Sequence, residues 1–321
     1  MTDLAIYLPA LNEAASIASV IDGLPSAIPG ISKIIVIVVD DGSVDDTGSI
    51  ARSKGVMVVR HERTGGVGRA FRSGLAKAIE LGVDIMVSID SDGQFNPADI
   101  EKLMVPILNG EADFVTASRF KDPALMPQMP GAKVWGNRQI ARMISHMTGH
   151  QFYDVSCGFR AYGRKAFLRL DPQGDFTYTH EVFLALAFGG LRIKEVPVVV
   201  RGVREHGESR IANNLFRYGW SAASIILGTY RDYRPLVFFG SIAAILFFTG
   251  FVILFLLGLH WWNTGALFPY RAFGFAGGAL CGAGLLVYLV GLVAAMLARL
   301  RSGIETALYR AGEAERLLRK Q

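Results

Sequence analysis

Three short segments of this 321-residue chain gather side chains able to hold a cation and a phosphate: Asp90-Ser91-Asp92-Gly93-Gln94, Asp40-Asp41-Gly42-Ser43 and Pro9-Ala10-Leu11-Asn12-Glu13. Asp90 and Asp92 stand two residues apart on a turn containing Gly93, and the Gln94 amide lies two further on. Oxygen donors at this spacing suit a hard divalent cation. Mg2+ held by few protein oxygens completes its shell with water and substrate phosphate, so a diphosphate ligand is the natural inference. Asp or Glu after a strand can simply cap the next helix, and Ser43 or Asp45 is expected to do so here. Capping does not require carboxylates at both Asp90 and Asp92.

Other chemistries are poorly represented. Thr64-Gly65-Gly66-Val67-Gly68-Arg69 looks like a phosphate-binding turn opening a helix, but it lacks the G-x-G-x-x-G register, and no Walker A sequence is present. The six histidines show no zinc-ligand spacing, and Cys157 has no cysteine near it. Two cysteines in different regions make no disulfide framework, which fits a reducing compartment.

The elements that must position these residues alternate. Leu4–Leu8, Ile34–Val39, Val56–Arg60 and Ile85–Ile89 are continuous apolar runs of the kind buried on both faces of a parallel sheet. Further strands are expected at Asp113–Ala117, Phe159–Tyr162 and Ile193–Val200, with helices near Glu13–Gly23, Asp45–Lys54, Val67–Leu81, Pro97–Leu108, Val134–Met147 and Thr179–Ala187. This is a doubly wound α/β pattern. In such sheets the ligand sits beyond the carboxyl ends of the strands, where the polar segments fall.

Composition divides the chain. It is 51% hydrophobic and 19% charged with net charge +5, which excludes a disordered chain or a basic nucleic-acid arm. The first 198 residues carry 20 Lys and Arg against 22 Asp and Glu, and the remainder 13 against 6, so a slightly acidic front precedes a back third of net +7. Pro235 to Tyr270 and Ala272 to Ala298 contain no charged residue. A helix rises about 1.5 Å per residue, so about 20 apolar residues cross a hydrocarbon core of roughly 30 Å, and Leu236–Leu259 and Phe273–Leu297 both qualify. Trp261, Trp262 and Tyr270 in the connection suit a bilayer interface. Arg231 and Arg234 before the hairpin, with Arg299 and Arg301 after it, place both ends in the cytoplasm. The N-terminus shows no cleaved signal. Ile211–Tyr230 is expected as an interfacial amphipathic helix and residues 302–321 as a solvated amphipathic tail. Gly274/Gly278 and Gly278/Gly282 permit close packing, against the first span or between subunits. The expected division is therefore 1–210, 211–235, 236–298 and 299–321.

The three polar segments, together with Gly66–Gly74, Ala117-Ser118-Arg119-Phe120, Cys157-Gly158-Phe159-Arg160-Ala161 and the run from Arg204 through Gly207 and Ser209 to Arg210, resemble an inverting family 2 glycosyltransferase of the GT-A fold. More narrowly they resemble the dolichyl-phosphate mannose synthase and polyprenyl-phosphate glucosyltransferase branch, over residues 1–235. The resemblance implies a mixed α/β sheet of the nucleotide-diphospho-sugar transferase type. It implies that Pro9, Leu11, Glu13 and Asp41 hold the base and ribose of a UDP- or GDP-linked sugar. Asp90, Asp92 and Gln94 would hold Mg2+ or Mn2+ at the diphosphate. Arg119 and Lys133 would receive the phosphate of a polyprenyl or dolichyl acceptor, and Arg204 and Ser209 would lie near the donor diphosphate. Arg210 stands where relatives usually carry Lys; a planar fork replaces a compact ammonium, which weakens that carry-over.

Glu181 falls roughly where relatives with sugar-hydroxyl acceptors carry a catalytic carboxylate, and Asp154 is a second candidate base. A helix-start residue and a turn residue are their structural alternatives. A lipid phosphate is already anionic and needs no base. One rival reading is a membrane synthase adding sugar to a carbohydrate hydroxyl, which the missing Gln-x-x-Arg-Trp motif and the small number of spans disfavour. Another is a non-catalytic membrane protein that binds nucleotide sugar, which the intact Asp90, Asp92, Gln94 and Arg119 disfavour. Nucleic acid is not expected as a partner.

Overall fold

The computed structural model describes residues 2–170, 179–201 and 215–319. In chain order the elements are β1 (Thr2–Ala10), α1 (Ile17–Asp22), β2 (Ile31–Asp40), α2 (Thr47–Ser53), β3 (Met57–Arg60), α3 (Val67–Glu80), β4 (Ile85–Ser88), α4 (Ile100–Leu108), β5 (Phe114–Ser118), α5 (Gly131–Thr148), β6 (Arg160–Gly163), α6 (Arg164–Phe167), α7 (Thr179–Phe188), β7 (Ile193–Pro197), α8 (Leu215–Tyr233), α9 (Pro235–Thr264) and α10 (Arg271–Arg319).

The strands form one sheet in the order β3-β2-β1-β4-β6-β5-β7. β6 runs antiparallel to both of its neighbours, β4 and β5, while the other pairs are parallel. Both faces are covered, which explains the uninterrupted apolar strands. Ala5 and Tyr7 of β1 point into a core shared with Phe71 of α3, Tyr162 and Phe183, whereas Leu4, Ile6 and Leu8 point into another with Val38, Val87 and Ile100.

Two boundaries moved for local reasons. α1 begins at Ile17 rather than Glu13, because Asn12 takes a left-handed φ of 53° and the amides of Asn12 and Glu13 turn toward Ser43 Oγ and Thr47 Oγ1, at 2.9 and 2.8 Å. β7 ends at Pro197, a residue without a backbone donor; beyond it the Val198 amide bonds the Ser118 carbonyl at 3.3 Å, and an isolated antiparallel bridge joins Val200 to Phe95.

The chain falls into two compact units. One comprises Met1–Ile226 together with Leu308–Gln321, the other Leu227–Ala307. In the first, Ile226 of α8 is fully buried in the core, so this end of the expected interfacial helix packs against protein. In the same unit the Arg169 guanidinium lies 5.6 Å from the ring centre of Tyr309, and the expected tail continues α10 as unbroken helix to Arg319.

In the second unit, α9 with 30 residues and Arg271–Arg301 of α10 with 31 are long and apolar enough to cross a membrane. They pack closely. A Cβ on Gly250 would stand 2.6 Å from the Gly277 carbonyl, one on Gly284 2.9 Å from the Ala243 carbonyl, and one on Gly291 2.9 Å from Phe239 Cβ. Gly277, Gly284 and Gly291 recur every seven residues and form the seam with α9, as small residues do between apolar helices. Of the spacings singled out from sequence, Gly274 meets Leu257, while Gly278 and Gly282 face open space.

Candidate active site

All strands but β6 end at the same edge of the sheet, and β6 begins there. Ala10 pairs with Asp40, Asp40 with Arg60, Tyr7 with Ser88, Ser88 with Arg160, Arg160 with Thr116, and Ser118 with Pro197. This register brings Pro9–Glu13, Asp40–Ser43, Asp90–Gln94, Arg119 and the Asp154–Gly158 turn to one edge. The order reverses direction around β1, so the turns after β1 and β4 border the crevice where α/β sheets bind ligands.

Hydrogen bonds lock these turns together. The Ser91 hydroxyl donates to the Pro9 carbonyl at 2.6 Å, and Ser16 Oγ stands 2.8 Å from the Ser91 carbonyl. Asn12 Oδ1 accepts from the Val44 amide at 2.8 Å. Leu11 and Glu13 lie on this turn, half-buried, with Glu13 Oε2 accepting from Ser16 Oγ. Ser43 does not cap α2. Asp45 holds the start of that helix through the Thr47 amide and hydroxyl, and although burial opposes it, these bonds keep its carboxyl below the usual range.

The two carboxylates of the Asp40-Asp41 pair face inward. Asp40 is fully buried, accepts from the Ser43 amide and lies 3.6 Å from Arg60 Nε. Asp41, only 4% exposed, accepts from the amides of Gly65 and Gly66 and lies 2.6 Å from His61 Nδ1, while His61 Nε2 meets Ser73 Oγ at 2.8 Å. In this arrangement the Asp41 carboxylate braces the Gly65-Gly66 loop at the edge of the sheet where the base is expected.

Asp90 is half-buried and Asp92 is 3% exposed. Asp92 Oδ1 accepts from the Gln94 amide at 3.1 Å, which tightens the turn. The Gln94 side chain donates from Nε2 to the Arg201 carbonyl, so Oε1 is the atom it offers as a ligand. The Gly158 backbone closes over Asp90, where a Cβ would stand 2.9 and 3.0 Å from the carboxylate oxygens. Among the described residues no group of three His, Cys, Asp or Glu forms a cage. Two carboxylates, one amide oxygen and a cradle that admits no side chain fit Mg2+ or Mn2+ sharing its shell with a diphosphate, and do not fit a fully protein-ligated ion.

Arg119 follows β5. Asp154, fully buried, grips its guanidinium with two oxygens: Nε to Oδ2 is 2.7 Å and Nη2 to Oδ1 is 2.9 Å. Asp154 Oδ2 also accepts from the Arg119 amide at 3.1 Å, and Arg119 Nη2 donates to Ser156 Oγ at 2.7 Å. Burial would raise the Asp154 carboxyl, but the Arg119 charge and these bonds hold it below the usual range. A stabilised carboxylate committed to arginine is a poor proton acceptor, which counts against Asp154 as a base. Glu181 sits half-buried in the first turn of α7, and Lys133 half-buried in the first turn of α5. Arg204, Ser209 and Arg210 lie outside the described residues.

Several contributors went unassigned in the sequence. Arg160 is fully buried and donates to the carbonyls of Cys157, Val155 and Thr179, pinning the turn that carries Asp154. Glu195 of β7 accepts from the amides of Tyr153 and Asp154. For Arg160 the legible signal was a charge opening the otherwise uncharged strand β6. Cys157 belongs to the core, where burial first and the Asp154 charge second push its thiol up to about 12, so it supplies neither nucleophile nor metal ligand.

A mixed sheet of this order with an Asp-x-Asp turn at its switch point is the GT-A architecture of glycosyltransferases. The glycosyl transferase family 2 profile matches residues 5–170, and the chain belongs to that family. The UDP-N-acetylglucosamine–dolichyl-phosphate N-acetylglucosaminyltransferase of Methanococcus voltae is 33% identical over 220 residues, covering 62% of this chain and 86% of the relative. The undecaprenyl-phosphate mannosyltransferase of Micrococcus luteus is 28% identical, covering 65% and 87%. Among solved structures, glucosyl-3-phosphoglycerate synthase from Mycobacterium tuberculosis with Mn2+, UDP and glucosyl-3-phosphoglycerate is 25% identical with a TM-score of 0.56, over 71% of this chain and 80% of that one. The same enzyme with Mg2+ and UDP gives 25% and 0.56 over 71% and 79%. The protein is a glycosyltransferase.

Proposed function

We propose that this glycosyltransferase moves a hexose from a UDP- or GDP-linked sugar to a polyprenyl or dolichyl phosphate, with inversion, at the cytoplasmic face of a membrane. The observation that carries the acceptor is the Arg119–Asp154 pair: a guanidinium held rigidly at the ligand edge of the sheet, suited to an anion. Committing Asp154 to that pair leaves Glu181 as the candidate base for a hydroxyl acceptor, whereas a phosphate oxygen is ionised beforehand and needs none. The names of the Methanococcus voltae and Micrococcus luteus relatives support a lipid-phosphate acceptor.

Pro9, Leu11, Glu13 and Asp41 hold the base and ribose, and Asp41 also braces the Gly65-Gly66 loop beside them. Arg204 and Ser209 complete the donor side. Asp90, Asp92 and Gln94 hold Mg2+ or Mn2+, which neutralises charge on the departing diphosphate. Arg119 and Lys133 draw in the acceptor phosphate and aim one oxygen at the anomeric carbon. That oxygen forms the new bond as the bond from the anomeric carbon to the diphosphate oxygen breaks, and the nucleoside diphosphate leaves from the opposite face.

α9 and α10 form a multi-pass membrane anchor with both termini cytoplasmic. The basic back third faces anionic headgroups, and the open Gly278/Gly282 face of α10 is where copies would associate. The test is to incubate membranes containing the protein with radiolabelled UDP- and GDP-sugars and extract lipid. One donor should yield a metal-dependent, acid-labile lipid product. Label appearing only in polysaccharide would refute the lipid-phosphate acceptor, and free sugar alone would refute both acceptors.

A further inference from the structure

Glu195 belongs to β7, an edge strand separated from β4 by β6 and β5, yet it is only 8% exposed. Its carboxylate accepts from the Tyr153 amide at 3.0 Å and from the Asp154 amide at 2.8 Å, fixing the turn from which Asp154 reaches Arg119. Across the same edge, Lys121 Nζ donates to the Glu195 carbonyl at 2.7 Å, which ties the segment just after Arg119 to β7. A second brace comes from α5: Asn137 Oδ1 accepts from Ser156 Oγ at 3.0 Å, and Ser156 Oγ in turn stands 2.7 Å from Arg119 Nη2.

The braced turn meets the Asp90 carboxylate at the Gly158 backbone, beyond Asp154 in the chain. Two carboxylates are buried in succession, each satisfied by donors, and a buried network of this kind is stable only when all members are present. The network ends on the Arg119 guanidinium, whose side chain keeps 17% exposure.

We propose that Glu195 and Asp154 are positioning residues for the acceptor phosphate, Asp154 setting the Arg119 fork and Glu195 setting Asp154. This rests on the reading of Arg119 as the acceptor-phosphate residue. Loss of the Glu195 charge lets the Tyr153–Asp154 turn relax, and the fork loses its aim while the donor site stays intact. Burial first, and then the neighbouring Asp154 carboxylate, push the Glu195 carboxyl up to about 6, opposed by the two amide bonds and the Lys121 charge. Asp154 and Lys121 are the charged groups that face it. The brace therefore weakens as the pH falls through about 6.

The experiment uses the full chain in detergent, with undecaprenyl phosphate as acceptor probe and UDP with Mn2+ as donor-site probe. Glu195→Gln should weaken binding of undecaprenyl phosphate about 5-fold, and Asp154→Asn about 10-fold or more, on the scale of losses at outer-shell partners of binding sites. UDP binding should stay as in the unaltered protein, which also certifies folding of both variants. In turnover the change should appear as a higher KM for lipid phosphate with a smaller fall in kcat. The lipid phosphate itself titrates near pH 6, so the pertinent comparison is between proteins: the rise in KM on acidification should be shallower in Glu195→Gln. Unchanged lipid binding in Glu195→Gln, with binding lost in Arg119→Ala, would overturn the relay and leave the Arg119 reading standing. Unchanged binding in Arg119→Ala would overturn that reading and the relay with it. A kcat lost in Asp154→Asn at unaltered KM would return Asp154 to the role of base.

Discussion

The backbone of Gly158 lies directly against the carboxylate of Asp90, so close that a methyl group there would stand 2.9 Å from Oδ2 and 3.0 Å from Oδ1. The antiparallel strand β6 thus does more than fill the sheet: the turn leading into it forms one wall of the proposed cation site. Gly158→Ala should displace Asp90 and weaken Mn2+-dependent UDP binding by roughly 10-fold or more, the size of effect seen when groups supporting metal ligands are altered. Calorimetric titration with Mn2+ and UDP checks it; equal affinity would mean that Asp90 is not needed in its present position.

Asp92→Asn separates charge from shape. Asp92 is buried and its Oδ1 accepts from the Gln94 amide, a bond an asparagine oxygen also makes, so the turn should survive. Transfer should nevertheless fall by roughly 10²-fold or more, as when one electrostatic contributor to charge stabilisation is removed. The check is turnover by the purified variant at saturating Mg2+, alongside its unfolding midpoint. Full activity would refute the metal assignment.

His180 predicts an acid limit to stability. It is fully buried, and burial first, then the Arg160 charge, push its pKa down to about 4 from 6.5, with Asp154 pulling the other way. Above pH 6.5 both folded and unfolded chains keep it neutral. Between 6.5 and about 4 only the unfolded chain takes up the proton, so stability falls as the pH falls across that window, by about 3 kcal/mol in all. Urea unfolding at pH 7.5 and 4.5 measures it, and His180→Leu should flatten the slope by that amount.

Removal of residues 236–321 should preserve UDP binding while transfer to long-chain lipid phosphate drops by roughly 10²-fold, because tethering beside the acceptor raises its effective concentration. The shortened chain must retain α8, since Ile226 is part of the core. Undiminished transfer to undecaprenyl phosphate in vesicles would show that the anchor plays no part in reaching the acceptor.

Much of this protein was legible along the chain because its signals are local. Strands buried on both faces leave continuous apolar runs at Leu4–Leu8 and Ile85–Ile89, and a bilayer demands uncharged stretches such as Pro235–Tyr270. The Asp90–Gln94 turn is equally local, since its donors lie within five residues.

What required the tertiary structure were relationships between segments far apart in sequence. Whether a carboxylate faces a ligand or another part of the chain depends on which distant donors surround it, and nothing in its neighbouring residues encodes that. Asp41 and Asp154 both looked like ligand-facing acids, yet the first braces Gly65 and Gly66 and the second grips Arg119, 35 residues away. Glu195 and Gly158 carried no signal of their own: one matters through the amides of Tyr153 and Asp154, the other through the space it leaves for Asp90. By itself the sequence determined the layers, the spans and the location of the polar turns, because periodicity and charge act over a few residues. Only folding decided which acids stay available for chemistry, because that depends on long-range packing and on the compulsion of every buried polar group to find a partner.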